Sequence, residues 1–308
     1  MPPVSTDLPT LQVAFDPAMD PGLSTGLPVL GGETVERIFP DAEPAGRAGP
    51  FALYRSDEWL LGAAAVPTGG IIELATQELY TALFAVTRGL NLARVWHYVP
   101  AINRPEAGGL ETYRAFSRGR SLAFEAEFGL DFHRVVPAAS AVGTDAARLM
   151  VVFAATKRPP RHFENPRQVP AYDYPPEHGP RPPSFARATV VPGAGGRADV
   201  FISGTAAIRG HATIAPDETL PQLACTIENL REISAACGLG PDLGRGDATT
   251  RHFKVYLRNA DDLPAVRAAL ERELLAPTDR VSYLRSDICR RELDVEIEAT
   301  LRDVAVSA

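Results

Sequence analysis

The sequence is poor in lysine and cysteine and has no long apolar run. Only two of its 308 residues are lysines, Lys157 and Lys254, and its three cysteines show no CxxC spacing. An odd number of cysteines without that spacing argues against a disulfide scaffold and against a structural zinc site. No stretch approaches the ~18 apolar residues of a membrane span, and the N-terminus lacks the basic and apolar regions of a signal peptide. We therefore expect a cytoplasmic protein with no membrane partner.

Several ligand-binding signatures are missing as well. The formal net charge is −7, whereas nucleic-acid binding depends on a basic surface, so we expect no nucleic-acid partner. The sequence has no HExxH, no GxSxG and no GxGxxG at a strand–helix junction, so we expect no metal ion and no cofactor. The positive charge that is present is nearly all arginine, which binds carboxylates bidentately. An acidic small molecule is therefore a possible ligand if a few arginines share one cleft.

Hydrophobic periodicity divides the chain into two halves with the same order of elements. The first half has strands at 11–15, 51–54 and 59–66, a helix at 71–90, a strand at 92–99, a helix at 110–128 and a strand at 149–155. The second half has strands at 186–191 and 198–208, a helix at 220–237, a strand at 251–258, a helix at 262–275, and strands at 281–284 and 293–301. This order predicts an α+β fold of two mixed sheets, each with two helices packed on one face.

The segment 157–185 separates the two halves. It is rich in proline, so it can form neither a helix nor a central strand. Its aromatic residues Phe163, Tyr172 and Tyr174 predict an ordered, packed crossing rather than a flexible linker. We expect an N-terminal domain at 1–156, this crossing at 157–185, and a C-terminal domain at 186–308 that carries the catalytic strand.

The last strand carries the strongest chemical signal. Apolar residues alternate there with Asp294, Glu296 and Glu298, which is the period of a strand with one buried face. Ionised carboxylates on one face repel each other, so one of them is well placed to hold a proton that it can donate. A solvated face on a half-exposed strand is the alternative interpretation. We expect Glu296 to be the acid, with Glu298 as the second candidate.

A tyrosine and an arginine on the second helix are candidate ligand contacts. Tyr113 and Arg120 are seven residues apart, so they share one helix face, which is otherwise apolar. An arginine on an apolar face needs an anionic partner. That partner is either a ligand or an internal acid such as Glu125 or Glu127.

A second such pair follows in and after the crossing. Tyr174 and Arg187 again place a phenol and a guanidinium near one another in sequence. Arg161, Arg167 and Arg181 lie nearby and compete for any role given to Arg187. Taken alone, each of these arginines fits a surface residue better than a ligand contact.

Segments spread over nearly the whole chain resemble the chorismatase family, which cleaves chorismate to pyruvate and a cyclic acid without a cofactor. The resembling segments are 53–62, 91–103, 113–125, 159–176, 201–206 and 295–299. The proline-rich crossing is the most specific of them. The second half alone is similar to the RidA (YjgF) fold, whose members end in the same Glu-Ile-Glu-Ala strand. The resemblance therefore implies two RidA-like halves.

The resemblance also implies the roles of five residues. Tyr113, Arg120, Tyr174 and Arg187 would bind the substrate, and Glu296 would be the acid. Chorismate is a dianion, so two arginines from different segments can each bind one carboxylate. A neutral Glu296 would protonate the enolpyruvyl methylene, and its carboxylate would then stabilise the oxocarbenium ion.

The chorismatase family has two branches, which differ in the fate of this oxocarbenium ion. One branch adds water and releases a 3,4-dihydroxycyclohexa-1,5-diene carboxylate, and the other loses pyruvate by an internal route and gives 3-hydroxybenzoate. The resemblance implies that Gly204 and Cys289, which lies seven residues before Glu296, favour 3-hydroxybenzoate. We therefore expect a 3-hydroxybenzoate synthase, with the chorismate hydrolase as the alternative.

Two more remote functions stay open. A RidA-like imine or enamine deaminase would use only the arginine and glutamate of the final segment, which leaves the first half unexplained. A binding module for aromatic acids would keep the arginines without needing an acidic strand that faces them. The sequence does not distinguish a monomer from the trimer typical of RidA folds.

Overall fold

The computed structural model describes residues 8–15, 23–246 and 249–306. The strands up to residue 156 are β1 (Thr10–Ala14), β2 (Leu23–Gly32), β3 (Val35–Arg37), β4 (Glu43–Ala48), β5 (Phe51–Ser56), β6 (Trp59–Pro67), β7 (Asn91–Pro100), β8 (Ala138–Thr144) and β9 (Arg148–Thr156). The helices among them are α1 (Ile72–Val86) and α2 (Thr112–Phe128). Within the described ranges, no helix is both long enough and apolar enough to span a membrane.

The rest of the chain repeats this series of elements. Its strands are β10 (Arg161–Phe163), β11 (Ala188–Pro192), β12 (Arg197–Ala206), β13 (Ile208–Arg209), β14 (Ala212–Thr213), β15 (Thr250–Leu257), β16 (Arg280–Arg285) and β17 (Val295–Ala305). Its helices are α3 (Thr219–Ala236) and α4 (Leu263–Glu273).

The strands form two large mixed sheets and one small hairpin. The first sheet has the order β4-β5-β6-β9-β7-β8, the second has the order β10-β11-β12-β17-β15-β16-β2-β1-β3, and β13 pairs with β14. Both large sheets contain the same run of five strands, β5-β6-β9-β7-β8 in one and β11-β12-β17-β15-β16 in the other. The last two strands of each run are parallel to each other. The predicted α+β architecture of two mixed sheets, each with two helices, is confirmed.

The strand content of residues 10–37 exceeds what the sequence pattern predicts. The pattern indicates a single strand there, whereas β1, β2 and β3 all join the second sheet, with β2 antiparallel to β16. Strand β2 contains Pro28 and three glycines that weaken its strand pattern, and its pairing partners define it instead. Strand β8 is likewise made of small residues and has no periodic signal. The division into domains at 156 and 186 stays a prediction.

The two sheets face each other and carry their helices on the outside. One buried cluster lies between the sheets, and two others pack α1 with α2 and α3 with α4 against their own sheets. Strand β17 is central in its sheet, so Val295 and Ile297 face the helices while Glu296 and Glu298 face the other sheet. Both faces of β17 are buried, and not one face as the alternation predicted. Burial of the carboxylates excludes the solvated interpretation.

Candidate active site

A cavity of about 240 Å³ opens between the two halves of the chain, and a side compartment of about 30 Å³ adjoins it. Every site residue named from the sequence lines one or both spaces: Tyr113, Gly204, Cys289 and Glu296 line both, Tyr174 and Arg187 the main cavity, and Arg120 the side compartment. The fold thus brings together residues from α2, the crossing, β12 and β17. The chemical roles assigned to them stay predictions.

Glu296 lines both spaces and is only 4% exposed. Burial raises the pKa of its carboxyl group to about 8, and repulsion from Glu298 adds to this rise against the attraction of Arg94 and Arg187. The group is therefore mostly protonated at neutral pH. A carboxylic acid with a pKa in this range can donate a proton to a substrate.

Glu298, two residues further along the same strand face, has the opposite character. Burial alone would raise its pKa, but Lys254 and Arg94 outweigh burial and lower the pKa to about 2. Its Oε2 accepts a hydrogen bond of 2.8 Å from Arg94, and its Oε1 accepts from Trp96 at 2.8 Å and from Lys254 at 2.7 Å. Lys254 also pairs with Glu36 at 2.7 Å. Glu298 is thus a buried anion held by a fixed network across both sheets.

The two glutamates therefore have their pKa values moved apart by their surroundings. Such a separation is the usual sign of one carboxyl that works as an acid beside one that stays ionised. Between the two candidates named from the sequence, the electrostatics favour Glu296 as the proton donor.

Gly204 on β12 leaves room for the carboxyl group of Glu296. A Cβ atom at position 204 would lie 2.8 Å from Cδ of Glu296, closer still to its Oε1, and 3.3 Å from Cβ of Ser140. The backbone of Gly204 has no left-handed conformation, so close approach alone accounts for the glycine. Any larger residue has to displace the carboxyl group or be displaced by it.

Arg120 is 3% exposed and has no carboxylate partner in the described part of the chain. The internal acid considered for it, Glu125, is paired with Arg181 instead. Its Nε and Nη2 are buried without a hydrogen-bond partner, and burial lowers the pKa of the guanidinium. A buried cation with unused donors is costly unless an anion binds there. The side compartment thus has a built site for an anionic group.

The aromatic surroundings of Arg120 are themselves fixed by hydrogen bonds. The guanidinium carbon lies 5.5 Å from the ring centroid of Tyr80, whose hydroxyl donates to Nε2 of His97 at 2.6 Å. Nδ1 of His97 donates to the backbone oxygen of Ser140 at 2.6 Å, and burial lowers the pKa of His97, so its ring is neutral. These two hydrogen bonds hold the Tyr80 ring against Arg120.

Tyr174 and Arg187 form the second tyrosine–arginine pair. Nη2 of Arg187 donates to the Tyr174 hydroxyl at 2.7 Å and to the Val169 carbonyl at 3.3 Å, while its Nε is buried without a hydrogen-bond partner. Its nearest acid is Glu164, whose Oε2 lies 4.0 Å from Nε. Burial raises the pKa of Glu164 to about 7. The positive charge of Arg187 is therefore only weakly compensated by Glu164.

The three arginines that compete with Arg187 in the sequence lie elsewhere. Arg161 stacks on Phe163, Arg167 pairs with Glu228 and Glu232, and Arg181 pairs with Glu125. None of the three lines the cavity or its side compartment. The structure thus identifies Arg187 as the one of these four arginines that lines the cavity, a distinction that the sequence alone could not make.

Tyr113 and Cys289 supply neutral polar groups beside Glu296. Burial raises the pKa of the Cys289 thiol to about 12, with repulsion from Glu296 as the next cause. Burial likewise raises the pKa of Tyr113 well above its ordinary value. Both groups keep their protons at neutral pH. Cys289 is therefore a small polar wall residue and not a thiolate nucleophile.

Sequence reasoning missed three cavity arginines, Arg114, Arg290 and Arg291, and the network around Glu298. Arg114 and Arg291 lie near Glu111, whereas Arg290 forms no ion pair with a described residue, and the sequence context of two adjacent arginines in a loop gives no signal for that difference. Lys254 had a usable signal, because a lone lysine within an apolar strand implies a buried counter-ion. Arg94 on β7 carried the same signal.

One group of side chains near the cavity mouth has the residue types of a metal site. Glu177, His178 and His211 offer three ligand atoms that lie within 4.8 Å of one another. However, Nε2 of His178 and Nδ1 of His211 are hydrogen-bonded to each other at 3.1 Å, so they do not both aim at a shared third point. Oε1 of Glu177 lies 3.4 Å from Nδ1 of His211 and is exposed. We assign this group as a hydrogen-bonded contact between the crossing and the β13–β14 hairpin.

Comparisons with known proteins point in one direction. The sequence model for the N-terminal part of FkbO/Hyg5-like chorismatases matches residues 40–155. A 3-hydroxybenzoate synthase of Streptomyces hygroscopicus is 35% identical over 305 residues, which cover 91% of this chain and 87% of that protein. A chorismatase of the same species is 40% identical over 256 residues, covering 80% of this chain and 73% of that protein. A chorismatase crystal structure superimposes with a TM-score of 0.76 and 35% identity, covering 86% of this chain and 80% of the other.

Proposed function

This chain belongs to the chorismatase family, and on that premise we propose that it cleaves chorismate to pyruvate and 3-hydroxybenzoate. The observation that carries the proposal is a neutral carboxylic acid, Glu296, beside two arginines, Arg120 and Arg290, that have buried unpaired donors and no carboxylate partner among the described residues. A dianionic substrate supplies the missing charge. An enol ether needs a proton donor and no cofactor.

The first chemical step is proton transfer to carbon. Glu296 donates its proton to the enolpyruvyl methylene, and the ether-linked carbon becomes an oxocarbenium ion. The resulting Glu296 carboxylate then lies next to this cation and stabilises it. Because Glu298 is ionised already, it cannot exchange roles with Glu296 at neutral pH.

The second step releases pyruvate. In the internal route the ring hydroxyl oxygen forms a bond to the neighbouring ring carbon and displaces the ether oxygen, which leaves as the carbonyl oxygen of pyruvate. The bond from this hydroxyl oxygen to its original ring carbon then breaks, and the carbon that now bears the oxygen loses its hydrogen as a proton to the Glu296 carboxylate as the ring becomes aromatic. The atoms of chorismate are divided between pyruvate and 3-hydroxybenzoate, so no water is consumed and the acid is regenerated. We propose that Cys289 and Gly204 favour this route because both line the space beside Glu296 in which a competing water would have to bind.

The proposed function is tested by product analysis. Purified protein is incubated with chorismate, pyruvate is followed with a coupled lactate dehydrogenase assay, and the cyclic product is identified by chromatography. Pyruvate with 3-hydroxybenzoate in equal amounts is the expected result. Pyruvate with a dihydroxycyclohexadiene carboxylate would replace the subtype by the hydrolase, and no pyruvate at all would overturn the chorismatase activity.

The pH dependence of the reaction follows from the protonated state of Glu296. Since the acid form is required and its pKa is about 8, kcat/KM is expected to be level below about pH 7 and to fall about tenfold per pH unit above about pH 8. The variant Glu164→Gln is the control, because Glu164 has a pKa of about 7 and lies beside Arg187. The fall near pH 8 has to persist in this variant. An activity that instead rises with pH through the range of ordinary carboxyl groups would point to a carboxylate base.

Substitution of Gly204 by alanine is expected to impair the acid rather than the fold. The new methyl group displaces the end of the Glu296 side chain, and a misplacement of about 1 Å at a reacting group costs on the order of 10²-fold in rate. Steady-state kinetics should show the loss mainly in kcat, with an almost unchanged melting temperature. Gly108→Ala is the matched control, because a Cβ at Gly108 meets no atom within 4 Å. Wild-type kcat in the Gly204 variant would show that Glu296 is not held where the reaction needs it.

A further inference from the structure

Arg290 lines the main cavity, and neither the sequence pattern nor the chemistry above gives it a role. We propose that Arg290 binds the ring carboxylate of chorismate together with Arg187, while Arg120 binds the carboxylate of the enolpyruvyl arm. This inference rests on the proposed function and adds the orientation of the substrate to it.

Arg290 is built to present a free donor to the cavity. Its Nη1 donates to the backbone oxygen of His211 at 2.9 Å and to Oγ1 of Thr213 at 3.1 Å, which fixes the guanidinium. Its Nη2 is buried and has no hydrogen-bond partner. In the described part of the chain, no carboxylate oxygen lies within 4.0 Å of an Arg290 nitrogen. A fixed guanidinium with a buried free donor and no counter-ion is an anion site by the same reasoning as Arg120.

Arg187 and Arg290 belong to the same wall of the main cavity. Their guanidinium carbons lie 5.7 Å and 5.4 Å from the ring centroid of Tyr174. Arg187 directly precedes β11 and Arg290 lies in the loop before β17, so the two approach this ring from different segments. Each retains a donor nitrogen that the protein leaves unpaired, Nε of Arg187 and Nη2 of Arg290. Two guanidinium groups around one ring can share one carboxylate.

The sizes of the two spaces decide which end of the substrate each one takes. A cyclohexadiene ring fits the main cavity of about 240 Å³ but not the side compartment of about 30 Å³. Tyr174 and Ile208, which line the main cavity and not the side compartment, add a flat and an apolar wall for a ring. The ring and the carboxylate attached directly to it therefore belong on the side of Arg187 and Arg290.

The position of Glu296 gives the same orientation independently. Within the enolpyruvyl arm the methylene and the carboxylate are bonded to the same carbon atom. A carboxylate held by Arg120 in the side compartment thus places the methylene at the junction, where Glu296 lines both spaces. In the reverse orientation the methylene would be six bonds away from the carboxylate in the side compartment, deep in the main cavity.

The test uses 3-hydroxybenzoate, which carries the ring carboxylate and lacks the enolpyruvyl arm. Its dissociation constant is measured by calorimetry for the wild type, Arg290→Met, Arg290→Lys and Arg120→Met, and KM for chorismate is measured alongside. We expect Arg290→Met to weaken 3-hydroxybenzoate binding roughly ten- to a hundredfold, and Arg290→Lys to weaken it less because the charge remains. Arg120→Met should raise KM for chorismate while changing 3-hydroxybenzoate affinity less than about twofold.

The control is Arg285→Met, in the same segment, since Arg285 pairs with Asp145 and does not line the cavity. Unchanged 3-hydroxybenzoate affinity in both Arg290 variants overturns the inference, as does a loss in Arg120→Met equal to that in Arg290→Met. Failure of the wild type to bind 3-hydroxybenzoate overturns it too. In all these cases the wild type still releases pyruvate from chorismate. Absence of pyruvate is the separate outcome that overturns the proposed function.

Discussion

Replacing Glu296 with glutamine is expected to abolish pyruvate release while leaving chorismate binding intact. Glutamine keeps the shape and the hydrogen-bonding capacity of a protonated glutamate but has no proton that it can give to carbon. The loss in kcat should be at least the ~10²–10⁴-fold typical of a missing general acid. Single-turnover kinetics give the rate, and calorimetric titration with chorismate gives the affinity. Near-normal turnover in this variant would remove Glu296 from the role.

The stability of the same variant gives a second, independent readout. The pKa of Glu296 is raised in the folded chain, so folding takes up a proton there and wild-type stability falls between about pH 4.5 and pH 8. Glutamine is neutral without taking up a proton. The melting temperature of Glu296→Gln at pH 7 should therefore equal or exceed that of the wild type. A lower value would mean that Glu296 is ionised in the folded state.

Glu298→Gln is the matched control on the same strand face, and we expect it to lower the stability of the protein. Removal of this anion leaves Arg94 without its carboxylate and Lys254 with Glu36 alone. Loss of one partner from a buried ion pair costs roughly 3–5 kcal/mol of unfolding free energy. Thermal unfolding separates the two glutamates: one variant is stable and inactive, and the other is destabilised.

The extent to which the site was predictable depends on how far apart its residues are in the sequence. Glu296 was predictable because strand alternation is local, and Tyr113 with Arg120 because helical spacing is local. The choice between Glu296 and Glu298 was not, because Glu298 is held ionised by Lys254 and by Arg94, which lies 204 residues away from it. Sequence patterns do not carry such pairings across two sheets.

The same limit applies to the fold. Helices α1 to α4 and the central strands have their own hydrophobic periodicity, which predicted them. Strand β2 contains a proline and three glycines, strand β8 consists mostly of small residues, and their pairing with neighbours in the sheets makes both of them strands. The need for a glycine at Gly204 has the same origin, since it is set by a side chain on the neighbouring strand β17.

Replacing Arg120 with methionine is expected to make the protein less active and more stable. The buried guanidinium has no carboxylate partner among the described residues, so the free protein carries a desolvation cost that methionine, of similar length, removes. Chorismate loses a charge-assisted pair in the side compartment. Such a loss costs roughly 2–5 kcal/mol, which lowers kcat/KM by about 30-fold to several thousandfold.

Arg118→Met is the control for this change, because Arg118 lies on the same helix and is paired with Glu73 near the surface. It should alter neither kcat/KM nor the melting temperature by much, since exposed ion pairs contribute about 0–1 kcal/mol. Melting temperature and kcat/KM measured together decide the role of Arg120. If Arg120→Met lowers both in parallel, the arginine stabilises the fold. If it raises the melting temperature while kcat/KM collapses, the protein keeps an unpaired buried cation because the substrate is its counter-ion.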